Sequence, residues 1–83
     1  MKQFILDIGT VEKVRKFNEI ARTYDEDIDI IRGRYTISAK SILGIFSIDI
    51  TIPVIVRIES NNQDTILQFR NDISDFIIGE KNE

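Results

Sequence analysis

Residues 35–47 read YTISAKSILGIFS, and the reading of their second half decides the fold. Tyr35 to Ser38 combines an aromatic with β-branched residues and reads as a short strand. Ser41 to Ser47, SILGIFS, admits two readings: a short helix capped by Ser41, or a further strand. Before it, DIDIIR (27–32) alternates, with Ile28 and Ile30 on one face, and RGR (32–34) offers a glycine for a turn. Asp27 to Ser38 is therefore expected to form a hairpin.

Further out, KQFILDI (2–8) sets Phe4, Leu6 and Ile8 on one side of a strand that Gly9 ends. From Thr10 to Tyr24 the period lengthens. Val11, Val14, Phe17, Ala21 and Tyr24 recur at helical steps, Thr10 suits the N-cap, and Glu12 suits the positive end of the helix dipole. Downstream, IDITI (48–52) has strand propensity of its own, Pro53 follows, and Val54 to Glu59 reads as strand. Asn61 or Asn62 caps a last helix with Ile66, Phe69, Ile73, Phe76 and Ile77 as its buried stripe. Gly79 reads as the stop of that helix and Glu80 to Glu83 as a polar tail. The order is β-α-β-β-(α)-β-α. The economical arrangement is α+β: one antiparallel sheet with helices on one face.

The chain has 83 residues, which fits a single domain over 1–83, and 42% apolar against 30% charged residues is a globular balance. It has no cysteine and no histidine, so thiolate nucleophiles, cysteine-ligated zinc and the commonest general base are all missing. The expectation is a non-enzyme without metal or cofactor. A net charge of −3, with acids interleaved among the lysines and arginines, gives no footprint for nucleic acid. No apolar run is long enough to span a bilayer, and Asp7 interrupts the only N-terminal apolar stretch. A cytoplasmic protein that binds neither membrane nor nucleic acid is expected.

Two motif echoes fail. A P-loop needs glycines where Ala39 and Arg34 stand, upstream of Lys40–Ser41. Asp25, Asp27 and Asp29 have the opening spacing of a calcium loop. Ile30 and Thr36 occupy its required glycine and glutamate positions. No pair of carboxylates is singled out for acid–base work.

The stretch AKSILGIFS (39–47), entered by YTIS and preceded by TYDEDIDI (23–30), resembles the region around the regulatory serine of HPr. HPr is the small phosphocarrier protein of the bacterial sugar phosphotransferase system. The Lys40-Ser41-Ile42-x-Gly44 core carries the resemblance, and the spacing matches from about residue 2 to residue 78 with few or no gaps. It implies an HPr-like open-faced β-sandwich: four antiparallel strands with three helices on one face. In that arrangement Ser41–Ser47 is the short second helix and residues 48–52 are a connection, whereas their own propensity favours strand.

The resemblance also locates departures. The family's phosphorylated histidine falls on Thr10, its arginine on Glu12 and its proline on Lys13. A phosphothreonine is a stable ester, unlike the phosphoramidate of phosphohistidine, and Glu12 would repel a phosphoryl group. Phosphocarrier activity is therefore expected to be lost. The regulatory serine is kept as Ser41, and the catabolite-repression HPr-like proteins likewise lack the histidine and keep the serine. The resemblance thus implies a regulatory or adaptor role through protein–protein contacts. Ser41 would be phosphorylated, and the partners would be HPr kinase or a transcriptional regulator. Lys40, Ile42, Leu43 and Phe46 would be partner contacts, with Leu43 the best exposed candidate. Two alternatives stand beside this. Ser41 is only an N-cap, with Ile42 and Phe46 in the core. Or the chain is a structural, self-associating domain that reuses the scaffold, with 48–52 as its interface.

Overall fold

The computed structural model describes residues 2–82. In chain order it contains β1 (Lys2–Leu6), α1 (Val11–Arg22), β2 (Ile28–Arg32), β3 (Tyr35–Ser38), α2 (Ile42–Phe46), β4 (Val54–Ile58), α3 (Gln63–Asp72), a 3₁₀ turn (Ser74–Phe76) and β5 (Ile77–Asn82). The five strands form one antiparallel sheet in the order β3-β2-β4-β1-β5.

Alternation along the strands sorts side chains onto two faces. Phe4 and Leu6 of β1, Ile28 and Ile30 of β2, and Val54, Val56 and Ile58 of β4 are fully covered. The register aligns them: Phe4 lies opposite Val56, which lies opposite Ile30. Beneath them sit Val14, Phe17 and Ala21 of α1, Ile45 of α2, and Ile66 and Phe69 of α3. All three helices therefore cover the same face. Each fully buried large side chain contributes on the order of 1.5–3 kcal/mol. Aromatic rings lock the layers: Phe4 meets Phe69 edge-on at 5.8 Å, and Phe17 meets Phe76 at 6.4 Å. The opposite face carries the intervening residues Gln3, Ile5, Asp29, Ile31, Ile55 and Arg57, all partly exposed.

The element caps follow local chemistry. Thr10 is extended (φ −128°, ψ 157°) and its Oγ1 accepts the Lys13 N–H at 3.1 Å. Of the two candidate caps for α3 it is Asn62 that serves, accepting the N–H groups of Asp64 (2.9 Å) and Thr65 (3.1 Å). Gly33 has φ 58° at the first of two turn residues between Arg32 and Tyr35, a conformation glycine adopts without cost in a tight hairpin.

The structure decides the open readings and corrects others. Residues 48–52 are not strand, despite their propensity, but the connection that the HPr resemblance implies. Asp49 closes a local turn by accepting the Thr51 N–H (3.0 Å) and hydroxyl (2.6 Å). Arg32 donates to the carbonyls of Asp49 and Ile52 at 3.2 and 3.1 Å, and the Ile48 N–H donates to the Ile45 carbonyl at 3.3 Å, so side chains and a local turn stand where a neighbouring strand would. Ile48 and Ile50 pack on the core while Ile52 is exposed.

The sheet has five strands, not four. Ile77 and Gly79, read as the end of the last helix, and Glu80 to Asn82, read as tail, form β5 against β1. A Cβ on Gly79 would lie 3.2 Å from Ile5 Cδ1, so the glycine there makes room for a cross-strand neighbour instead of stopping a helix. Val11, counted in the buried stripe of the first helix, is exposed. In α2 the fully buried residue is Ile45, whereas Phe46 is 41% exposed.

Candidate functional site

Two groups of residues singled out in the sequence lie at two helix starts. At the start of α1, Thr10, Glu12, Lys13 and Lys16 line a shallow cleft of about 290 Å³, closed on its far side by Asp75 and Phe76 from the 3₁₀ turn. Thr10 is exposed, but its hydroxyl oxygen already caps the helix. Asp7 accepts the Gly9 N–H at 2.9 Å and pairs with Lys13 Nζ at 3.4 Å. The Gly9 amide first, and Lys13 second, hold its carboxyl below the usual carboxylate range. Lys16 pairs with Glu12 at 3.3 Å. Each lysine of the cleft thus has an acidic partner, and Asp75 adds a further negative charge. The cleft offers a phosphoryl group no surplus of positive charge.

At the start of α2, Ser41 is also an N-cap. Its Oγ accepts the Gly44 N–H at 3.1 Å and its own N–H donates to the Ser38 carbonyl at 3.1 Å. The side chain is exposed. The segment leading into it is fixed from below by α1. Asn18 donates from Nδ2 to the Ala39 carbonyl at 3.0 Å, and Lys40 Nζ donates to the Tyr24 carbonyl. Lys40 is therefore half-buried and bonded to the end of α1, not a free cation at the rim. Tyr24 is anchored in turn: its hydroxyl donates to Asp72, and its ring meets Phe69 edge-on at 5.3 Å. Burial and the Asp72 carboxylate push that hydroxyl above the usual tyrosine range.

Gly44 seats α2. A Cβ there would lie 2.9 Å from Ile37 Cγ2 on β3, so only glycine lets the helix approach the strand this closely. With the helix fixed, Ile42 is half-buried against the core, Leu43 is 81% exposed and Phe46 is partly exposed. Lys40, Ser41, Ile42, Leu43 and Phe46 thus share one end of the molecule. None of them lines the cleft that holds Thr10, Glu12 and Lys13. The reading of Ile42 and Phe46 as a buried pair misses Ile45 and Asn18. Ile42, Ile45 and Ile48 recur every third residue, a stripe that could have identified Ile45 as the anchor. Nothing in the sequence pattern marks Asn18, because its partner is a backbone carbonyl 21 residues away.

No family model matches the chain, and no curated protein matches it by sequence. Two solved structures superpose on it closely. One is HPr-C-His from Thermoanaerobacter tengcongensis. It has a TM-score of 0.69 at 21% identity, and the match covers 89% of this chain and 92% of that one. The chain has the HPr fold. The second is the histidine-containing phosphocarrier protein of a Mycoplasma, with a TM-score of 0.68 at 19% identity, covering 95% of this chain and 100% of that one. The HPr fold here comprises the open antiparallel sheet with three helices on one face, extended by β5 at one edge. Among the described residues no helix is long and apolar enough to cross a membrane.

Proposed function

We propose that this protein is a docking member of the HPr family that has lost the phosphoryl relay and works through protein–protein contacts regulated at Ser41. One observation carries the first half: the chain adopts the HPr fold but contains no histidine. A relay needs a nitrogen that takes up a phosphoryl group as a phosphoramidate and gives it away again. Thr10, at the corresponding helix start, has an alcohol whose phosphate ester is stable. Its oxygen already accepts the Lys13 N–H, and the charges around it are balanced by ion pairs.

The second half rests on the start of α2. A phosphoryl group on the exposed Ser41 would meet the Gly44 N–H and the other free amides of the first turn, a favourable setting for a dianion. Leu43 and Phe46 then supply apolar contact beside the new charge. Lys40 positions the serine through the Tyr24 carbonyl instead of touching the partner directly. The partner classes are a serine kinase of the HPr kinase type and a transcriptional regulator that reads the phosphoserine. The test is incubation with HPr kinase and ATP. One stable phosphate on the parent and none on Ser41→Ala is the expected result. Equal modification of both, or of neither, would remove the regulatory half.

A further inference from the structure

The two edges of the sheet differ. β5 carries Glu80, held by Arg70 at 3.1 Å and by Lys2 at 3.3 Å, together with Lys81. Such charges discourage pairing with another chain. β3 reads Tyr35-Thr36-Ile37-Ser38 and has neither a charge nor a proline.

The register fixes which of its backbone groups are free. Arg32 pairs with Tyr35 across the turn, and Ala39 donates its N–H to the Ile28 carbonyl at the other end. Backbone groups of Tyr35, Ile37 and Ala39 therefore turn toward β2, and those of Thr36 and Ser38 turn outward. The Ser38 carbonyl is taken by the Ser41 N–H. Thr36 is the residue of β3 whose N–H and C=O both face outward, and among the described residues nothing bonds to either. Beside the strand, on the helix side, runs a mainly apolar groove of about 480 Å³ whose lining includes Ile37, Ile48, Ser47 and Asp49. Tyr35 stands at its rim, 71% exposed.

We propose that β3 pairs with β3 of a second copy of this chain, antiparallel about a twofold axis at Thr36, each copy's Tyr35 entering the other's groove. The register follows from the free groups. A closely hydrogen-bonded pair needs outward N–H and C=O on both sides, so Thr36 lies opposite the partner's Thr36. Tyr35 then falls opposite the partner's Ile37, at a non-hydrogen-bonded position where facing side chains approach most closely. Both project to the helix side, where the groove is. The protruding ring and the hollow thus sit one step apart on one edge, as an isologous interface requires.

Charge agrees with the same register. It brings Arg34, which makes no ion pair among the described residues, opposite the partner's Ser38. In each copy Ser38 pairs with Asp29 on β2. There Asp29 and Glu59 share a single cation, Arg57, at 3.8 and 2.9 Å, and Asp27 lies close enough to act on Asp29 electrostatically. An added guanidinium meets an acidic surplus. The contact is short, so the dimer is expected to be weak and concentration-dependent. It requires no phosphate on Ser41 and stands apart from the regulatory reading.

Sedimentation equilibrium of the full chain from about 10 μM to about 1 mM decides the matter. A monomer–dimer equilibrium is expected, weakened at least roughly tenfold by Tyr35→Lys. Thr36→Pro, which removes an outward N–H and no hydrogen bond to β2, is expected to weaken it similarly. Circular dichroism checks that each variant is folded, and if Thr36→Pro unfolds, Tyr35→Lys alone decides. A monomer at every concentration overturns the proposal. So does a dimer that folded Tyr35→Lys leaves intact, including one that Leu43→Lys disrupts instead.

Discussion

Asn18 is the one polar residue among the buried described side chains, at 4% exposure, and it has a definite task. Its amide satisfies the carbonyl of Ala39, which is itself fully buried. Asn18→Ala strands that carbonyl without water or partner, and is expected to cost about 1–3 kcal/mol in urea unfolding. It is also expected to speed amide exchange at Lys40 and Ser41, because the segment loses one of its two bonds to α1. Gly44 makes the opposite kind of demand, for absence of a side chain. Alanine would gain up to ~1 kcal/mol of helix propensity. Its methyl would meet the branch carbon of Ile37, which cannot swing away as the end of a long side chain can. Overpacking costs about 1–3 kcal/mol, so Gly44→Ala is expected to lower stability by roughly 1 kcal/mol net in the same assay.

At the level of elements, what the sequence revealed depended on how local the deciding interaction was. β1, α1, the β2–β3 hairpin and β4 announce themselves by period and punctuation, and Thr10 by its capping chemistry. α2 has only five residues, too few for periodicity to tell helix from strand, and its resolution came from the HPr resemblance. β5 was misread because Ile77 continues a helical stripe and Gly79 imitates a helix stop. Its partner β1 lies at the other end of the chain. In the 48–52 connection, which the HPr resemblance implies, strand propensity by itself points the other way: it loses to the local Asp49 turn and to Arg32, the latter 17–20 residues away. Of the site, the two helix starts were legible as caps, whereas the long-range bonds that fix Lys40 were not.

β5 also has an electrostatic signature. The Arg70 side chain, and secondarily Lys2, hold the Glu80 carboxyl below its usual 4.5. A carboxyl depressed in the folded state stabilises the fold above its unfolded pKa and loses that contribution as pH falls through the folded value. The contribution of the Glu80 fastening between β5 and α3 is thus full above about pH 4.5, declines below it, and is gone once pH has fallen through the depressed folded value. Glu80→Gln is expected to raise amide exchange in β5 at neutral pH and to flatten the acid limb of the stability curve. An acid limb unchanged from the parent would show that the ion pair does not hold the strand.

Taken whole, the molecule has the HPr fold, and its sequence contains no histidine. The Gly44 contact seats α2 against β3 and the Ser41 cap closes its first turn, while the cleft around Thr10 has its charges internally paired. The most direct measurement is intact-mass spectrometry of the protein after incubation with phosphoenolpyruvate and the first enzyme of the phosphotransferase system. An unchanged mass is the predicted result. An acid-labile phosphoryl group that the protein accepts and hands on would contradict the account.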